Sequence, residues 1–235
     1  MTVTRWGERA AHLYDRDYAR RYRDHDDRIR DGALVTRFSG WLGAVCDSFG
    51  RPIDVLDLGC GTGRYFGAIR HVRRLVGIDV SRDMLAEAAH PVGPPPAAAR
   101  GPTLVQADFL EHEFEPHEFD LVYSIGVLAE HSPFDEPLAR RVRRWLRPDG
   151  RFAFTAVHPS SFSVPRTLKR RVAEGLMPVA GPFRDALRAG LMRDGLYADE
   201  ERLRDVLGAA GFIVELIEVF RSEVHVHCLT VARAS

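Results

Sequence analysis

Residues 53–63 constrain this chain more than any other stretch. Ile53-Asp54-Val55-Leu56-Asp57-Leu58 is a short, β-branched apolar run, and it empties directly into Gly59-Cys60-Gly61-Thr62-Gly63. Too short and too apolar for an amphipathic helix, the run reads as a strand buried on both faces. Such a strand demands helices above and below it. The sequence that follows supplies them, with strands predicted at 75–79, 103–106, 119–124 and 151–157 and helices near 63–71, 82–89 and 136–146. Alternation of this kind gives a parallel sheet wound on both sides. Residues 91–102 hold five prolines and two glycines and read as a loop. Past His158 the alternation lapses, then returns as a helix over 199–210, capped by Asp199 and stopped by Gly211. Two last strands, 212–220 and 223–232, are joined through Arg221-Ser222 as an antiparallel hairpin. The expected fold is a doubly wound, mostly parallel seven-stranded α/β sheet.

Ahead of the first strand, Arg5 to about Arg30 reads as one helix with Leu13, Tyr14, Tyr18 and Tyr22 on a single face. Residues 33–49 read as another, with Leu34, Val35, Phe38, Trp41, Leu42 and Val45 turned inward. The chain therefore divides into an N-terminal helical cap (1–49), a core (50–159), an insertion (160–197) and a terminal helix and hairpin (198–235). The insertion carries Phe162, Leu168, Leu176, Met177, Phe183, Leu187, Leu191 and Met192, too apolar for a free linker, and is expected to lie over the sheet's edge as a helical lid.

Charge excludes some partners. The chain has 33 basic and 33 acidic residues, so nothing draws it to nucleic acid or an anionic membrane. Lys169 is the only lysine, a bias toward arginine that reads as coding composition. Arg140-Arg141 and Arg143-Arg144 read as the outer face of a helix rather than a nucleic-acid stripe. Cys46, Cys60 and Cys228 lie far apart with no CxxC pair, which suits a reducing cytoplasm. No stretch approaches the roughly 18 apolar residues of a membrane span. His225 and His227 alternate on one strand face, with Cys228 pointing the other way, and read as a partly buried face rather than a metal site.

The glycine turn narrows the chemistry. Alternate glycines at 59, 61 and 63 let a ligand approach the backbone. A dinucleotide fingerprint would need glycine at 64, where the chain has Arg64, and no Gly-Lys-Ser/Thr loop exists. Asp79, ending Leu75-Val76-Gly77-Ile78, stands about 20 residues past the first glycine, where an acid accepts ribose hydroxyls. A nucleoside ligand follows.

Here the sequence resembles the class I S-adenosylmethionine-dependent methyltransferase family. The resemblance rests on Val55 to Gly63, Gly77-Ile78-Asp79 with Ser81 and Met84, Gln106-Ala107-Asp108-Phe109, and Leu146-Arg147-Pro148-Asp149-Gly150-Arg151-Phe152, in that order. It covers about residues 50–160, with Asp149 where the family often has glycine. It implies a Rossmann-like methyltransferase fold and S-adenosyl-L-methionine as cofactor. Asp57 with Gly59, Cys60, Gly61 and Gly63 would hold the methionine end and Asp79 the ribose. Val80 and Met84 would cover the adenine, with Asp108 and Phe109 at its amino edge. Ser124 and Ile125 would line the methionine side, and Tyr14 and Tyr22 would close over the cofactor.

For catalysis the candidates follow strands four and five: Glu130-His131 and His158. Either imidazole is suited to take a proton from the acceptor near neutral pH, so His131 and His158 are the expected catalytic residues. The expected reaction is methyl transfer to nitrogen or oxygen of a small organic molecule, of the kind met in secondary metabolism. An RNA or protein methyltransferase and a non-catalytic nucleoside-binding module stay open as alternatives. A homodimer is compatible with the sequence.

Overall fold

The computed structural model describes residues 4–93, 101–161, 197–222 and 225–235. The expected lid lies almost wholly outside the described residues. The core is a seven-stranded sheet: β1 (Ile53–Leu58), β2 (Val72–Asp79), β3 (Thr103–Gln106), β4 (Phe119–Ser124), β5 (Leu146–Val157), β6 (Phe212–Arg221) and β7 (Val226–Ala234). Their spatial order is β3-β2-β1-β4-β5-β7-β6. The first five run parallel, and β7 pairs antiparallel with both β5 and β6. The doubly wound α/β expectation holds.

Period-two alternation along β1 explains its complete burial. Leu56 and Leu58 face one side, packed with Leu138, Val142 and Trp145 of α5 (Glu136–Trp145) and Leu203, Val206 and Leu207 of the terminal helix (Glu200–Ala209). Ile53 and Val55 face the other, against Phe38, Trp41, Leu42 and Val45 of α3 (Ala33–Asp47). α4 (Arg82–Ala88) adds Leu85 and Ala88 to that second face; the terminal helix is α6. Strand order reverses between β1 and β4, so a crevice opens at their carboxyl ends, the usual ligand position in such sheets.

Three local expectations change. The predicted N-terminal helix is two: α1 (Arg5–Leu13) and α2 (Arg16–Ile29), because Asp15 caps α2 by accepting from the Tyr18 N–H at 2.9 Å. Leu13, at the break, is 52% exposed and leaves the buried stripe. The helix expected over 63–71 is a single 3-10 turn, Phe66–Ala68. β2 starts at Val72, opposite Ile53, and the stretch before it buries both Tyr65 and Phe66, which leaves no length for a regular helix. Finally, β5 starts at Leu146, since Asp149 adopts φ +61° and the chain enters the sheet without a separate turn.

Arginines clamp the opposite end of the sheet. Buried Asp120 receives the Asp54 N–H at 2.8 Å, Arg51 at 2.8 Å and Arg147 at 2.7 Å, while Asp54 binds Arg73 and Arg147. These partners hold both carboxyls below the usual range although burial opposes it.

Candidate active site

A cavity of about 280 Å³ opens at the carboxyl ends of β1, β2 and β4 and is roofed by α1 and α2. Its floor is the glycine turn. Gly59 and Gly61 hold φ of +71° and +53°; a Cβ on Gly59 would lie 2.8 Å from the Val127 side chain, so the backbone needs glycine there. Gly61 is tied down from its N–H to Asp79 Oδ2 at 2.9 Å, and Asp79 Oδ1 accepts from the Ser81 N–H at 2.9 Å. The cap of α4 is Ser81, whose hydroxyl accepts from the Met84 N–H. Asp79 is therefore a turn-ordering acid facing the cavity, and burial raises its carboxyl despite the backbone N–H groups around it.

A second acid, Asp108, borders the same space. Its Oδ2 accepts from the Thr4 N–H at 2.8 Å and the Thr4 hydroxyl at 2.6 Å, and its Oδ1 from the Leu110 N–H at 3.0 Å. Val80, Met84, Phe109 and Leu110 supply the apolar lining between the two acids. Two buried carboxylates flanking an apolar slot, over a floor stripped of side chains, fit a nucleoside with a flat base.

The N-terminal helices are fastened over this slot. Asp26, buried on α2, accepts from the Thr62 hydroxyl and from Arg64 Nε at 2.6 Å. Ser81 donates its hydroxyl to the Tyr14 carbonyl, and Arg23 reaches the Glu87 carbonyl at 3.2 Å. Tyr14, Tyr18 and Tyr22 line the cavity: Tyr14 meets Tyr18 edge-on at 4.9 Å, and Tyr18 stacks on Tyr22 at 5.9 Å. Burial pushes the Tyr14 and Tyr22 hydroxyls up, so both stay protonated.

Beyond the floor stand the titratable groups. After β4 the chain turns tightly, with the Val127 carbonyl accepting from the His131 and Ser132 N–H groups at 2.9 and 3.0 Å. This aims Glu130 and His131 into the cavity, with His131 Nε2 and Glu130 Oε1 3.5 Å apart. Burial pushes the Glu130 carboxyl up to about 7. Burial, then His225, lowers the His131 imidazole. The far wall carries Phe38, Tyr65, His225 and His227.

Of the residues expected from sequence, Tyr14, Tyr22, Gly59, Cys60, Gly61, Asp79, Val80, Met84, Asp108, Phe109, Ile125 and His131 line this cavity. Four do not. Asp57 is buried beneath the floor, where burial pushes its carboxyl up to about 8. Gly63 lies against Phe66, and Ser124 donates to the Leu58 carbonyl at 2.8 Å. His158 sits with Nδ1 2.7 Å from the Ser160 hydroxyl and Nε2 3.3 Å from Glu200, linking β5 to α6. Tyr18 belongs to the site and was legible in the tyrosine stripe. Phe38, Tyr65 and His227 left no signal beyond that of core residues. The Cys60 thiol, raised by burial and then by Asp79, is no nucleophile. Among the described residues no group of three or more His, Cys, Asp or Glu is placed to hold a metal.

Comparison with known proteins agrees with this geometry. Residues 56–154 match a family model described as a methyltransferase domain. A sterol 24-C-methyltransferase of Candida albicans is 28% identical over 127 residues, 52% of this chain and 33% of that protein; the match thus spans about a third of that relative. The magnesium protoporphyrin IX methyltransferase of Synechocystis PCC 6803, solved with bound SAH, superposes with a TM-score of 0.64 at 17% identity, over 98% of this chain and all of that one. An S-adenosylmethionine-dependent methyltransferase from Mesorhizobium loti gives 0.57 at 24%, over 87% and 99%. Residues 56–154 thus resemble a methyltransferase domain, and the chain shares its fold with solved S-adenosylmethionine-dependent methyltransferases.

Proposed function

We propose that this protein transfers the methyl group of S-adenosylmethionine to a nitrogen or oxygen of a small organic acceptor bound in the roofed cavity. The observation that carries the reading is continuity. One cavity runs from the nucleoside acids Asp79 and Asp108 to the Glu130–His131 pair and the aromatic far wall. When bound, the cofactor supplies a methyl on a positively charged sulfur. Gly59 and Gly61 would take its methionine end, Asp79 its ribose, and Met84, Val80 and Asp108 its base.

The chain's own contribution is placement. Methyl transfer from a sulfonium is an in-line displacement, for which holding the acceptor close and dry supplies most of the acceleration. α1 and α2, pinned by Asp26 and Ser81, exclude water from above. His131, whose half-exposed imidazole is lowered by desolvation and by His225, has a ring nitrogen suited to the acceptor's proton, and Glu130 beside it can take the proton on. His158 is removed from this role by its position. The sterol and porphyrin relatives support a small acceptor, and α1 and α2 lie where a long polymer would have to enter.

Calorimetry tests the reading. S-adenosylmethionine and S-adenosylhomocysteine should bind at about micromolar Kd, and NAD should not bind. Asp79→Ala, which strips the Gly61 and Ser81 N–H groups of their acceptor, should weaken both by about 100-fold, and Asp79→Asn by less. Preference for NAD would sink it.

A further inference from the structure

His227, the second residue of β7, is 5% exposed, yet neither of its ring nitrogens has a hydrogen-bond partner. Buried polar atoms in folded proteins are almost always paired, so an imidazole lacking both partners calls for an explanation. Among the described residues, Trp41, Tyr123, Arg141 and Thr230 also carry a buried atom without a hydrogen bond, although Arg141 Nε is ion-paired with Glu113 at 3.1 Å, but of these five side chains only His227 lines the cavity. Its ring is fixed rather than loose. Phe38 meets it edge-on at 5.2 Å, His225 lies at 5.4 Å, and its backbone is paired with Val157 on one side and Phe220 on the other.

The position is as informative as the missing partners. Because β7 runs antiparallel to β5, its first residues lie beside the carboxyl end of β5, at the crevice where ligands bind. None of the nucleoside-binding groups is on this wall. Phe38 and Tyr65, 6.4 Å apart between ring centres, and Leu34 complete it as an aromatic and apolar surface. The one guanidinium lining the cavity among the described residues, Arg64, is taken by Asp26. This wall therefore offers an aromatic corner, with Phe38 and Tyr65 tilted by 50° to each other, and a neutral imidazole with one N–H donor and one nitrogen acceptor.

We propose that His227 is the recognition residue of the acceptor subsite, hydrogen-bonding the hydroxyl of a phenol-class acceptor whose ring lies against Phe38 and Tyr65. This rests on the methyltransferase reading and deepens it, since it names the acceptor's chemistry. A phenolic hydroxyl both donates and accepts, matching the two unpaired nitrogens in kind, and an aromatic ring suits the wall beside them. A carboxylate acceptor would meet no free cation on this wall among the described residues.

The test uses the full chain saturated with S-adenosylhomocysteine, so that only the acceptor end of the cavity is open. Binding of 4-fluorophenol and 4-fluorotoluene is followed by fluorine NMR. Wild type should prefer the phenol by about tenfold or more, the margin set by a buried polar group that the toluene leaves unpaired. His227→Phe, which removes both nitrogens and keeps the ring, should abolish the preference while its melting temperature equals or exceeds wild type. His227→Gln, with a donor and an acceptor, should keep part of it. Absence of the preference in wild type, or its survival in His227→Phe, overturns the subsite. If His227→Phe fails to fold, wild type and His227→Gln still decide: equal binding of the two probes by wild type refutes the proposal. Failure of S-adenosylhomocysteine itself to bind is a separate result, and it overturns the methyltransferase reading together with the subsite.

Discussion

Asp26 is the residue whose loss should be felt furthest from its own position. Its carboxylate is buried on α2 and holds two groups of the glycine-turn region, the Thr62 hydroxyl and the Arg64 guanidinium, the latter lying 4.9 Å over the Tyr22 ring. Asp26→Ala leaves Arg64, only 19% exposed, charged and unpaired, and orphans Thr62. Removing one partner of a buried ion pair costs about 3–5 kcal/mol when nothing rearranges. Here something can: α1 and α2 can lift away. Their other tethers are the Thr4 bonds to Asp108, about 1.5–3 kcal/mol each as charge-assisted pairs, and the neutral Ser81 bond to Tyr14, about 1 kcal/mol. The partly exposed Arg23–Glu87 pair and the exposed Arg16–Asp83 pair each add at most about 1 kcal/mol. The latch thus ranks with the Thr4–Asp108 bonds as one of the two strongest polar tethers of the roof. Asp26→Ala should therefore open the roof: hydrogen exchange should speed up across residues 4–29 while β1, β4 and β5 stay protected. S-adenosylhomocysteine affinity should fall by about tenfold or more, because only the closed fraction binds. Asp26→Asn, which can still accept from Arg64, should do less. The double change Asp26→Leu with Arg64→Met, which removes both charges, should recover most of the loss. An Asp26→Ala protein with unchanged exchange over 4–29 and a stability loss under about 1 kcal/mol would refute the latch.

Two further outcomes are expected. Glu130 should titrate near pH 7 in a carbon-13 carboxyl titration, a signal absent from Glu130→Gln. Its folded pKa lies above the unfolded value of about 4.5, so the folded state holds the extra proton and stability falls as pH rises from about 4.5 to 7; urea melts should show Glu130→Gln gaining on wild type across that window, by at most about 3 kcal/mol. At the far end of the sheet, Asp120→Ala should cost about 1–3 kcal/mol in the same melts by orphaning the buried Asp54 N–H, since Arg147 keeps Asp54, and leave S-adenosylhomocysteine affinity unchanged. Asp120 and Asp54 are depressed on folding, so their contribution is full above the unfolded pKa and is lost as pH falls through the folded values.

The glycine-and-acid end of the cavity was legible because its signals are local. A strand, a turn of alternate glycines and an acid ending the next strand stand in a short span, and backbone geometry forces their neighbourhood: Gly61 and Asp79 meet because β1 and β2 are adjacent and parallel. The acceptor end was not legible. Glu130 and His131 were candidates from their place after β4, but His158, equally well placed by that rule, is drawn off to Ser160 and Glu200. Phe38 reads in the sequence as one of α3's apolar positions, and His227 as one residue of an alternating strand. Nothing local distinguishes a core-facing side chain from one facing a cavity.

By itself the sequence determined the α/β winding, the order of its strands, the glycine floor and the position of Asp79, all of which follow from hydrophobic period and short-range spacing; Asp108 came from the family resemblance. Only the tertiary structure decided that α1 and α2 lie across the floor, that Asp26 reaches Thr62 and Arg64, and that the start of β7 faces the crevice. Those facts depend on contacts between residues 36 or more positions apart and on the direction in which the last strand enters the sheet. Burial then set the proton affinities of Glu130, His131 and His227, since desolvation depends on what packs around a group and not on its neighbours in the chain.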